Sequence, residues 1–501
     1  MATLAGKDTT GTLITAEGEI ELLDRRTRTA KVFHLGGRRY RIGASLGPIH
    51  YRRDPFDERE ELKEIDLSLD PTPGEEWDFA CETNGYQVRI WNSREVGGRT
   101  LRCVAQFRRA GRWLAMAPVA LAWENEAGER QLIAKPNPAV SPRIDNDAST
   151  ATWADCFGPG IDFAYNLRPD RFYKTLIVRT AAAVPRPTIG TSGLRLVLVM
   201  ALAWDAVPAN GFAAERPPVE VSDDLTGIDT PDELTQDVDF SFRDAGRDVW
   251  WLRRPTAWDS TKEEPRTIEV EWSLRRVGDR AFATFAVPAT ALSKATYPVY
   301  IDTSISEEQT TENDDDTGSR GTTYPGYDTY YAYGSIRVGR TTTQWATGGF
   351  RFTTVPIPAG VTISSAVLSF SAAGTSAADI QVRIAAEDVD SAAIMSITHM
   401  SGGTAYDART TANVFWDPAD WTQYVWYDSP DVAAVVQEVV GRPGWALNNN
   451  LLFIMYETRT TLPASNTYRL IEDIATSGNG AKFNCTYSEP VSGGDWLFAS
   501  D

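Results

Sequence analysis

The sequence has few of the residues on which common catalytic and metal sites depend. Its 501 residues include three histidines, His34, His50 and His399, which lie in unrelated contexts. The four cysteines show neither a CxxC pair nor the Cys/His spacing of a zinc site. P-loop, GxGxxG, GxSxG and HExxH motifs are also missing from strand-to-helix contexts. The sequence therefore gives little support to histidine-based catalysis, and we predict that its cysteines are free and mostly buried.

Long apolar runs are missing as well. The longest run, residues 194–204, is about half the length needed to cross a bilayer and includes Arg195. The first 26 residues lack the basic and then apolar order of a secretory signal. We therefore expect no secretory signal and no membrane insertion, and we interpret residues 194–204 as a strand in a sandwich core.

Positive charge is in deficit. The chain has 49 Lys and Arg against 68 Asp and Glu, which gives a net charge of −19. Such a chain repels nucleic-acid phosphates and anionic membranes, so we expect neither as a partner. The basic residues between positions 25 and 39 alternate with Thr, Val and Tyr, which is typical of a solvated strand face rather than a polyanion site.

Aromatic residues, prolines and short alternating runs are plentiful, with 16 Trp and 28 Pro. Runs such as 86–91 alternate inward and outward residues with the two-residue period of a half-buried strand. We predict an all-β, multidomain protein of β-sandwiches with a C-terminal jelly roll that carries one short helix. The predicted parts are an N-terminal β-domain (1–186), a second β-sandwich (187–304), an acidic linker or loop (305–327), the jelly roll (328–490) and a tail (491–501).

The segment 429–457 predicts the helix and the strand that follows it. Ser429 is a suitable N-cap, and Pro430 suits the first helical position. Valines recur on one face at the i, i+3, i+4, i+7, i+8 spacing, and Gly441 ends the pattern. The bulky run 451–456 is too short for a globular helix and predicts an interior strand. The predicted buried face of the helix comprises Val432, Val435, Val436, Val439 and Val440.

Four short motifs follow one another in the C-terminal third, namely Asp328-Thr329-Tyr330, Ile336-Arg337-Val338-Gly339, Phe350-Arg351-Phe352 and Ile363-Ser364-Ser365-Ala366-Val367-Leu368. Their order, together with the helix and strand of 429–457, resembles the DNRLRE domain, a jelly roll similar to carbohydrate-binding modules. The resemblance covers roughly residues 328–489. Upstream, the IHY run at 49–51, the later Ile65-Asp66 and the YPV-x-ID element at 297–302 resemble regions of bacterial wall-associated and RHS-like surface proteins.

Aromatic rings are the strongest candidate for a binding surface. The segment 415–427 holds Trp421, Tyr424 and Trp426, which we name as candidate carbohydrate-binding residues because flat rings stack on sugar CH faces. In so acidic a chain, rings suit neutral sugars, which need no charge partner. The alternative is that these rings belong to the core, because about half the rings of a thin sandwich must face inward.

Carboxylates supply the remaining candidate sites. Asp314, Asp315 and Asp316 are hard oxygen ligands suitable for Ca²⁺, and related jelly rolls hold structural calcium, although EF-hand spacing is absent. We expect no other cofactor. The pair Glu472-Asp473 predicts either a solvated turn or part of a glycosidase dyad. His34 and His50 could likewise meet on adjacent strands around a metal or serve structural roles in turns.

These observations lead to a functional prediction. If a nearly all-β protein without signal, anchor or catalytic constellation has an extracellular role, it must reach the cell exterior by another route. Phage virion proteins do so by assembling in the host cytoplasm and leaving on lysis. DNRLRE-like jelly rolls occur in such proteins and in bacterial surface proteins. We predict a non-enzymatic phage virion component, either a head fibre, a head-decoration protein or a tail-associated protein. Its expected partners are other virion proteins or further copies of the chain, and host-surface glycans. The alternatives are a bacterial surface or secreted carbohydrate-binding adhesin and a polysaccharide-degrading enzyme.

Overall fold

The computed structural model divides the chain into two compact units. Unit 1 combines residues 1–50 with residues 310–501, and unit 2 is the continuous stretch 51–309. Antiparallel ladders build both units, so the all-β prediction is confirmed. The structure describes residues 4–7, 13–15, 18–96, 99–146, 148–205, 207–208, 233–235, 240–245, 247–261, 266–277, 280–306, 316–326, 328–331, 335–377, 379–474 and 479–490.

Short strands follow one another along the described chain. Between residues 4 and 51 they are β1 (Leu4–Lys7), β2 (Leu13–Thr15), β3 (Ile20–Glu21), β4 (Ala30–His34), β5 (Arg39–Ser45) and β6 (His50–Tyr51). Between residues 63 and 178 they are β7 (Lys63–Glu64), β8 (Asp70–Pro71), β9 (Phe79–Cys81), β10 (Gln87–Val96), β11 (Arg99–Arg109), β12 (Arg112–Glu124), β13 (Arg130–Ala134), β14 (Arg143–Ile144), β15 (Thr150–Trp153), β16 (Ile161–Leu167) and β17 (Arg171–Val178). Between residues 195 and 306 they are β18 (Arg195–Trp204), β19 (Val207–Pro208), β20 (Glu233–Thr235), β21 (Phe240–Asp244), β22 (Arg247–Leu252), β23 (Thr256–Trp258), β24 (Thr267–Ile268), β25 (Glu271–Val277), β26 (Arg280–Pro288) and β27 (Val299–Ser306).

The C-terminal part continues this pattern and carries most of the helical turns. Its strands are β28 (Asp316–Gly321), β29 (Thr329–Tyr331), β30 (Ser335–Arg340), β31 (Trp345–Phe352), β32 (Thr362–Ser371), β33 (Val382–Ala386), β34 (Val414–Trp416), β35 (Trp426–Asp428), β36 (Leu451–Glu457), β37 (Thr467–Glu472) and β38 (Lys482–Ser488). The α-helices among the described residues are α1 (Ala289–Leu292), α2 (Ile397–Met400), α3 (Thr404–Asp407) and α4 (Ala433–Val440).

Unit 2 consists of two sheets that share one core. The first sheet has the order β20-β25-β26-β18-β12-β11-β10-β9-β8, and the second has the order β14-β15-β16-β17-β27-β22-β21-β19. Large rings fill the space between them, among them Phe107, Trp153, Trp204 and Trp250. Strand β18 (Arg195–Trp204) is the buried strand that the sequence predicts over residues 194–204.

The predicted boundary between residues 186 and 187 is wrong. Strand β18 pairs along its length with β12, from Leu114 opposite Trp204 to Glu124 opposite Arg195. Two strands that share a central ladder cannot belong to separate sandwiches, because each supplies the hydrogen-bonding partners of the other. The predicted N-terminal domain and the predicted second sandwich are therefore parts of one unit, without the first 50 residues.

Those first residues complete the C-terminal sandwich instead. Strand β5 pairs with β38, the last described strand, in the sheet order β1-β2-β3-β4-β5-β38-β32-β35. Val32 and Ile42 are fully buried in the same core as Phe350 and Phe453 of the facing sheet. The predicted jelly-roll boundaries, 328–490, therefore omit strands that unit 1 needs.

The facing sheet of unit 1 also begins earlier than predicted. It has the order β29-β28-β31-β36-β33-β34, and β30 joins β31 and β37 beside it. Strand β28 pairs with β31 from Asp316 opposite Phe350 to Gly321 opposite Trp345. Part of the predicted 305–327 linker is therefore a strand of this sheet, while residues 307–315 and the predicted tail lie outside the described residues.

Helix α4 confirms the predicted valine face but begins later than predicted. All five predicted valines are buried, and Gly441 is the C-cap. The first helical residue is Ala433, which follows the N-cap Val432, and its N–H donates a hydrogen bond to Asp431 Oδ1 at 2.8 Å. Ser429 Oγ instead accepts a bond from the N–H of Leu368 at 3.0 Å. A sheet contact thus holds the predicted cap, and the bulky run that follows forms β36 as predicted.

Candidate functional site

Trp421 is a core residue, so its predicted role in sugar contact is wrong. Its side chain is 2% exposed and belongs to the core of unit 1. The ring stacks on Tyr427 with centroids 4.9 Å apart and an interplanar angle of 7°. Its backbone pairs with Ser376, each N–H donating to the carbonyl of the other residue.

The other two predicted rings have different surroundings. Tyr424 is 69% exposed and has a positive φ of 64°, so it projects from a turn. Trp426 begins β35 opposite Ser371 and is half-buried, with Lys482 Nζ 3.9 Å from its ring centroid. Tyr424 therefore offers a free-standing ring, whereas a lysine covers one face of Trp426. The structure does not bring these three rings together as one exposed platform.

The predicted calcium site falls largely outside the described residues. Asp314 and Asp315 are outside them, and Asp316 begins β28. Across the described part of the chain, no cluster of three or more His, Cys, Asp or Glu side chains could hold a metal ion. His34 Nε2 and His50 Nδ1 each lie within hydrogen-bond distance of a backbone carbonyl, at 2.8 and 2.6 Å, in keeping with structural roles.

Glu472 and Asp473 are not a solvated turn. Asp473 is fully buried, and Glu472, the last residue of β37, is nearly so. The turn interpretation is therefore wrong, because Glu472 ends a strand and Asp473, which follows it, is also inside the protein.

An open groove on unit 1 is the better candidate for a functional site. Its volume is about 640 Å³, and we call it the Tyr–Arg groove. Helix α3, the turn that follows it and the strands β33 and β36 position its side chains. The lining residues are Tyr324, Arg383, Tyr406, Asp407, Arg409, Thr410, Thr411, Asn413, Tyr456 and Thr458.

Strand register aligns two lining residues of the groove with an aromatic ring beside it. Arg383 on β33 lies directly opposite Tyr456 on β36 and directly opposite Phe415 on β34. Residues directly opposite in antiparallel strands share one face, with Cβ atoms about 4.5–5.5 Å apart. Phe415 is 48% exposed, so the row ends in an open aromatic ring beside a guanidinium group. Arg383 also donates a hydrogen bond to Asn413 Oδ1.

Arg409 and two tyrosines form the wall of the groove. The Arg409 guanidinium lies 4.1 Å from the Tyr406 ring centroid and 5.4 Å from that of Tyr456, within cation–π range. Tyr324 donates its hydroxyl to the carbonyl of Glu457 at 2.9 Å. Burial raises the pKa values of Tyr324 and Tyr406, so both phenols stay neutral near pH 7 and can donate hydrogen bonds.

Helix α4 holds the turn that carries the polar lining. Glu438 accepts hydrogen bonds from the backbone N–H groups of Thr411 at 2.8 Å and Ala412 at 2.7 Å. Burial opposes ionisation of Glu438, but these N–H groups outweigh it and lower its pKa. On the other side of the groove wall, His399 Nε2 lies 2.8 Å from the buried Glu387 Oε1. The groove is therefore built on anchored backbone.

The groove was missed in the sequence because its parts are far apart along the chain. Tyr324 and Tyr456 are separated by 132 positions, and Arg383 lies between them in an unremarkable strand pattern. One local signal was available. Phe415 and Trp416 are neighbours in a strand, so one of the two rings had to face outward.

Comparisons with known proteins assign no family to the chain. No family model matches it, and no curated protein matches it. An exo-β-1,3-galactanase from Phanerochaete chrysosporium, solved with β-1,3-galactotriose, is 9% identical over 97% of this chain and 99% of its own, with a TM-score of 0.14. The same enzyme with galactose is 8% identical over 88% of this chain and 100% of its own, again at 0.14. A structure of Sulfolobus turreted icosahedral virus is 11% identical over 80% of this chain and 89% of its own, at 0.10. Likenesses at this level assign neither fold nor function.

Among the described residues, no helix is long and apolar enough to span a membrane.

Proposed function

We propose that unit 1 binds saccharides in the Tyr–Arg groove and that the protein works by binding rather than by catalysis. The observation that carries this proposal is the row Phe415, Arg383 and Tyr456, which places an exposed ring beside hydrogen-bonding groups on one sheet face. Sugar binding needs such a combination, because rings stack on CH groups while polar side chains bind hydroxyls.

The charges of the groove favour a sugar that carries a carboxylate. Arg383 and Arg409 line it together with one carboxylate, Asp407, so the local balance is positive. Screening at physiological salt limits the reach of exposed charges to about 8 Å. A ligand in the groove therefore responds mainly to the charges of the groove and less to the net charge of the whole chain. This differs from the neutral sugar that the net charge alone predicts.

The carboxylates of the groove support binding rather than hydrolysis. Glycosidases generally use two carboxyl groups across the scissile bond. Among the described lining residues, Asp407 is the one carboxylate, and the nearby Glu457 is occupied by Arg459 at 3.1 Å. The proposal therefore assigns no catalytic pair to the groove.

A phage virion is the proposed setting, with the protein as a head fibre, a head-decoration protein or a tail-associated protein. The support is the sequence resemblance to DNRLRE jelly rolls, which occur in virion proteins and in bacterial surface proteins. Mass spectrometry of particles released on lysis tests this setting. Recovery of the chain in the cell-wall fraction and not in particles would favour the adhesin alternative.

Binding can be measured by calorimetry with uronic-acid oligosaccharides and neutral oligosaccharides of equal length. The wild-type protein should prefer the uronic acids. Arg383→Ala should weaken binding roughly 10–100-fold, since a charged hydrogen bond contributes about 1.5–3 kcal/mol. Phe415→Ala should weaken binding of both sugar types.

Two matched controls separate the groove from general surface effects. Arg39→Ala removes the same charge from an exposed position on the other sheet, and Tyr424→Ala removes an exposed ring outside the groove. Neither should change the affinity. If Arg39→Ala and Arg383→Ala lose saccharide affinity equally, the assignment of binding to the groove is wrong. If the wild-type protein releases new reducing ends from the oligosaccharides and Asp407→Asn does not, the protein is a hydrolase and the binding-only proposal is wrong.

A further inference from the structure

Two of the four cysteines of the chain meet inside unit 2. Cys103 lies in β11 of one sheet, and Cys156 lies in the turn between β15 and β16 of the other. Their sulfur atoms are 3.7 Å apart, and both residues are almost completely buried. The contact therefore spans the core between the two sheets.

The two thiols are in van der Waals contact and close to bonding range. A disulfide requires sulfur atoms about 2.05 Å apart, so the pair must close by somewhat less than 2 Å, which side-chain rotation can supply. The other cysteines are engaged elsewhere. Cys81 donates its thiol to the carbonyl of Asp66 at 3.3 Å, and Cys485 lies in β38 of unit 1. Only the pairing of Cys103 with Cys156 has this geometry among the described cysteines.

We propose that Cys103 and Cys156 form an intramolecular disulfide when the protein meets an oxidising small-molecule disulfide such as oxidised glutathione. The thiolate of one cysteine attacks the small disulfide and releases one small thiol. The second cysteine then attacks the mixed disulfide, the protein S–S bond forms and a second small thiol leaves. The two protein thiols lose two electrons and two protons in total, and these reduce one small disulfide to two thiols.

The reaction is slow in the folded protein and accelerates when unit 2 opens. The thiolate is the attacking species, and burial raises the pKa of Cys103 well above its ordinary value. Once formed, the bond links two facing sheets across a 53-position separation. A cross-link of that span removes conformational freedom mainly from the unfolded chain, so the melting temperature should rise by several degrees.

The experiment compares two samples of the full chain. One is kept in reduced glutathione, and the other is exposed for a long time to oxidised glutathione. Free thiols are then alkylated in denaturant and counted by intact mass, and linked peptides are mapped. The oxidised protein should be about 2 Da lighter before alkylation, take up two alkyl groups instead of four, and show one linked peptide that joins Cys103 to Cys156. Its melting temperature should fall back on reduction.

Three variants complete the test. Cys81→Ser should still form the bond and gain the same thermal shift. Cys103→Ser and Cys156→Ala should each retain all three of their remaining thiols and show no shift, and either variant suffices if the other fails to fold. Four free thiols in the oxidised wild-type protein, or a linked peptide that contains Cys81 or Cys485, would overturn the proposal. The result is independent of sugar binding in the groove.

Discussion

Trp421 shows how the surroundings of a single ring decide its role. Its side chain contacts Tyr427 within the core, so Trp421→Ala should destabilise unit 1 by about 3–5 kcal/mol through the cavity it leaves. Tyr424→Ala, three positions along the chain, should change stability by less than about 0.5 kcal/mol because that ring is exposed. Chemical denaturation of both variants checks this contrast. If both variants lose a similar amount of unfolding free energy, Tyr424 is also packed in the core.

Lys174 is a buried charge whose cost should depend on pH. It lies on the core face of β17 between Phe172 and Leu176, and burial lowers its pKa to about 7 although the buried carboxyl of Asp302 favours the ammonium form. The unfolded chain holds this proton up to the ordinary pKa of 10.5, so the Lys174 contribution to stability rises as pH rises from about 7 to 10.5. The cost of burying the ammonium is therefore greatest below pH 7.

Lys174→Met should consequently stabilise unit 2 by about 1–4 kcal/mol at pH 6. Burial raises the pKa of Asp302 to about 7, so at pH 6 its carboxyl is mostly protonated and the apolar replacement leaves no unpaired carboxylate in the core. The gain should shrink as pH increases through the range above 7. Urea denaturation at pH 6, 8 and 10 measures it. Lys135→Met, at a position outside the core, is the control and should show no comparable gain. A pH-independent gain would mean that packing rather than charge is responsible.

Residue composition revealed the rings but not the direction in which they face. The sequence places Trp421, Tyr424 and Trp426 within six positions, which favoured an aromatic surface. Their burial is decided by partners elsewhere in the chain, Ser376 for the first and Lys482 for the last. Local periodicity could not supply those partners, because β35 is only three residues long and Trp421 lies outside it.

Elements with a strong local pattern were predicted well. The valine spacing of α4 and the bulky run of β36 both require burial on their own, so their positions are confirmed. The start of α4 was predicted too early, because Ser429 bonds to Leu368 of the neighbouring strand instead of capping the helix. Every nearby backbone N–H group competes for the oxygen of a capping side chain, and the sequence does not show which N–H groups are near.

Helix α4 provides a matched test of its two faces. Val435→Asp should unfold unit 1, because an unpaired carboxylate in the core costs several kcal/mol. Ala434→Asp, one position away on the exposed side, should cost less than about 1 kcal/mol. Thermal melts followed by circular dichroism distinguish them. A wild-type melting temperature in Val435→Asp would contradict the buried helix face.

The Tyr–Arg groove can be recognised only at the scale of the whole molecule, since strands β33 and β36, helix α3 and the turn after it must all be in place before the groove exists. The same is true of the domain boundaries. Strand β5 pairs with β38 across more than 430 positions, and no local pattern in either strand specifies the other. The sequence therefore predicted strands correctly while assigning the first 50 residues to the wrong unit.

This topology predicts which fragments fold. Residues 51–309 form a continuous unit with its own core and should fold alone. Residues 310–490 should not, because they lack β4 and β5 and would expose the edge of β38. The missing segment buries Val32, Ile42 and Leu46 almost completely, which together contribute roughly 4–9 kcal/mol. That range is comparable to the whole stability of a typical domain, about 5–15 kcal/mol.

Restoring the missing strands should restore folding. A single chain that joins residues 18–50 to residues 310–490 through a flexible Gly/Ser linker should melt cooperatively, and a version that carries Ile42→Asp should not. Thermal denaturation and amide chemical-shift dispersion compare these two chains with the 310–490 fragment. The joined chain should also bind uronic-acid oligosaccharides as the full protein does, since every lining residue of the groove lies in unit 1. If the 310–490 fragment melts as cooperatively as the joined chain, the N-terminal strands are not needed for the sandwich to fold.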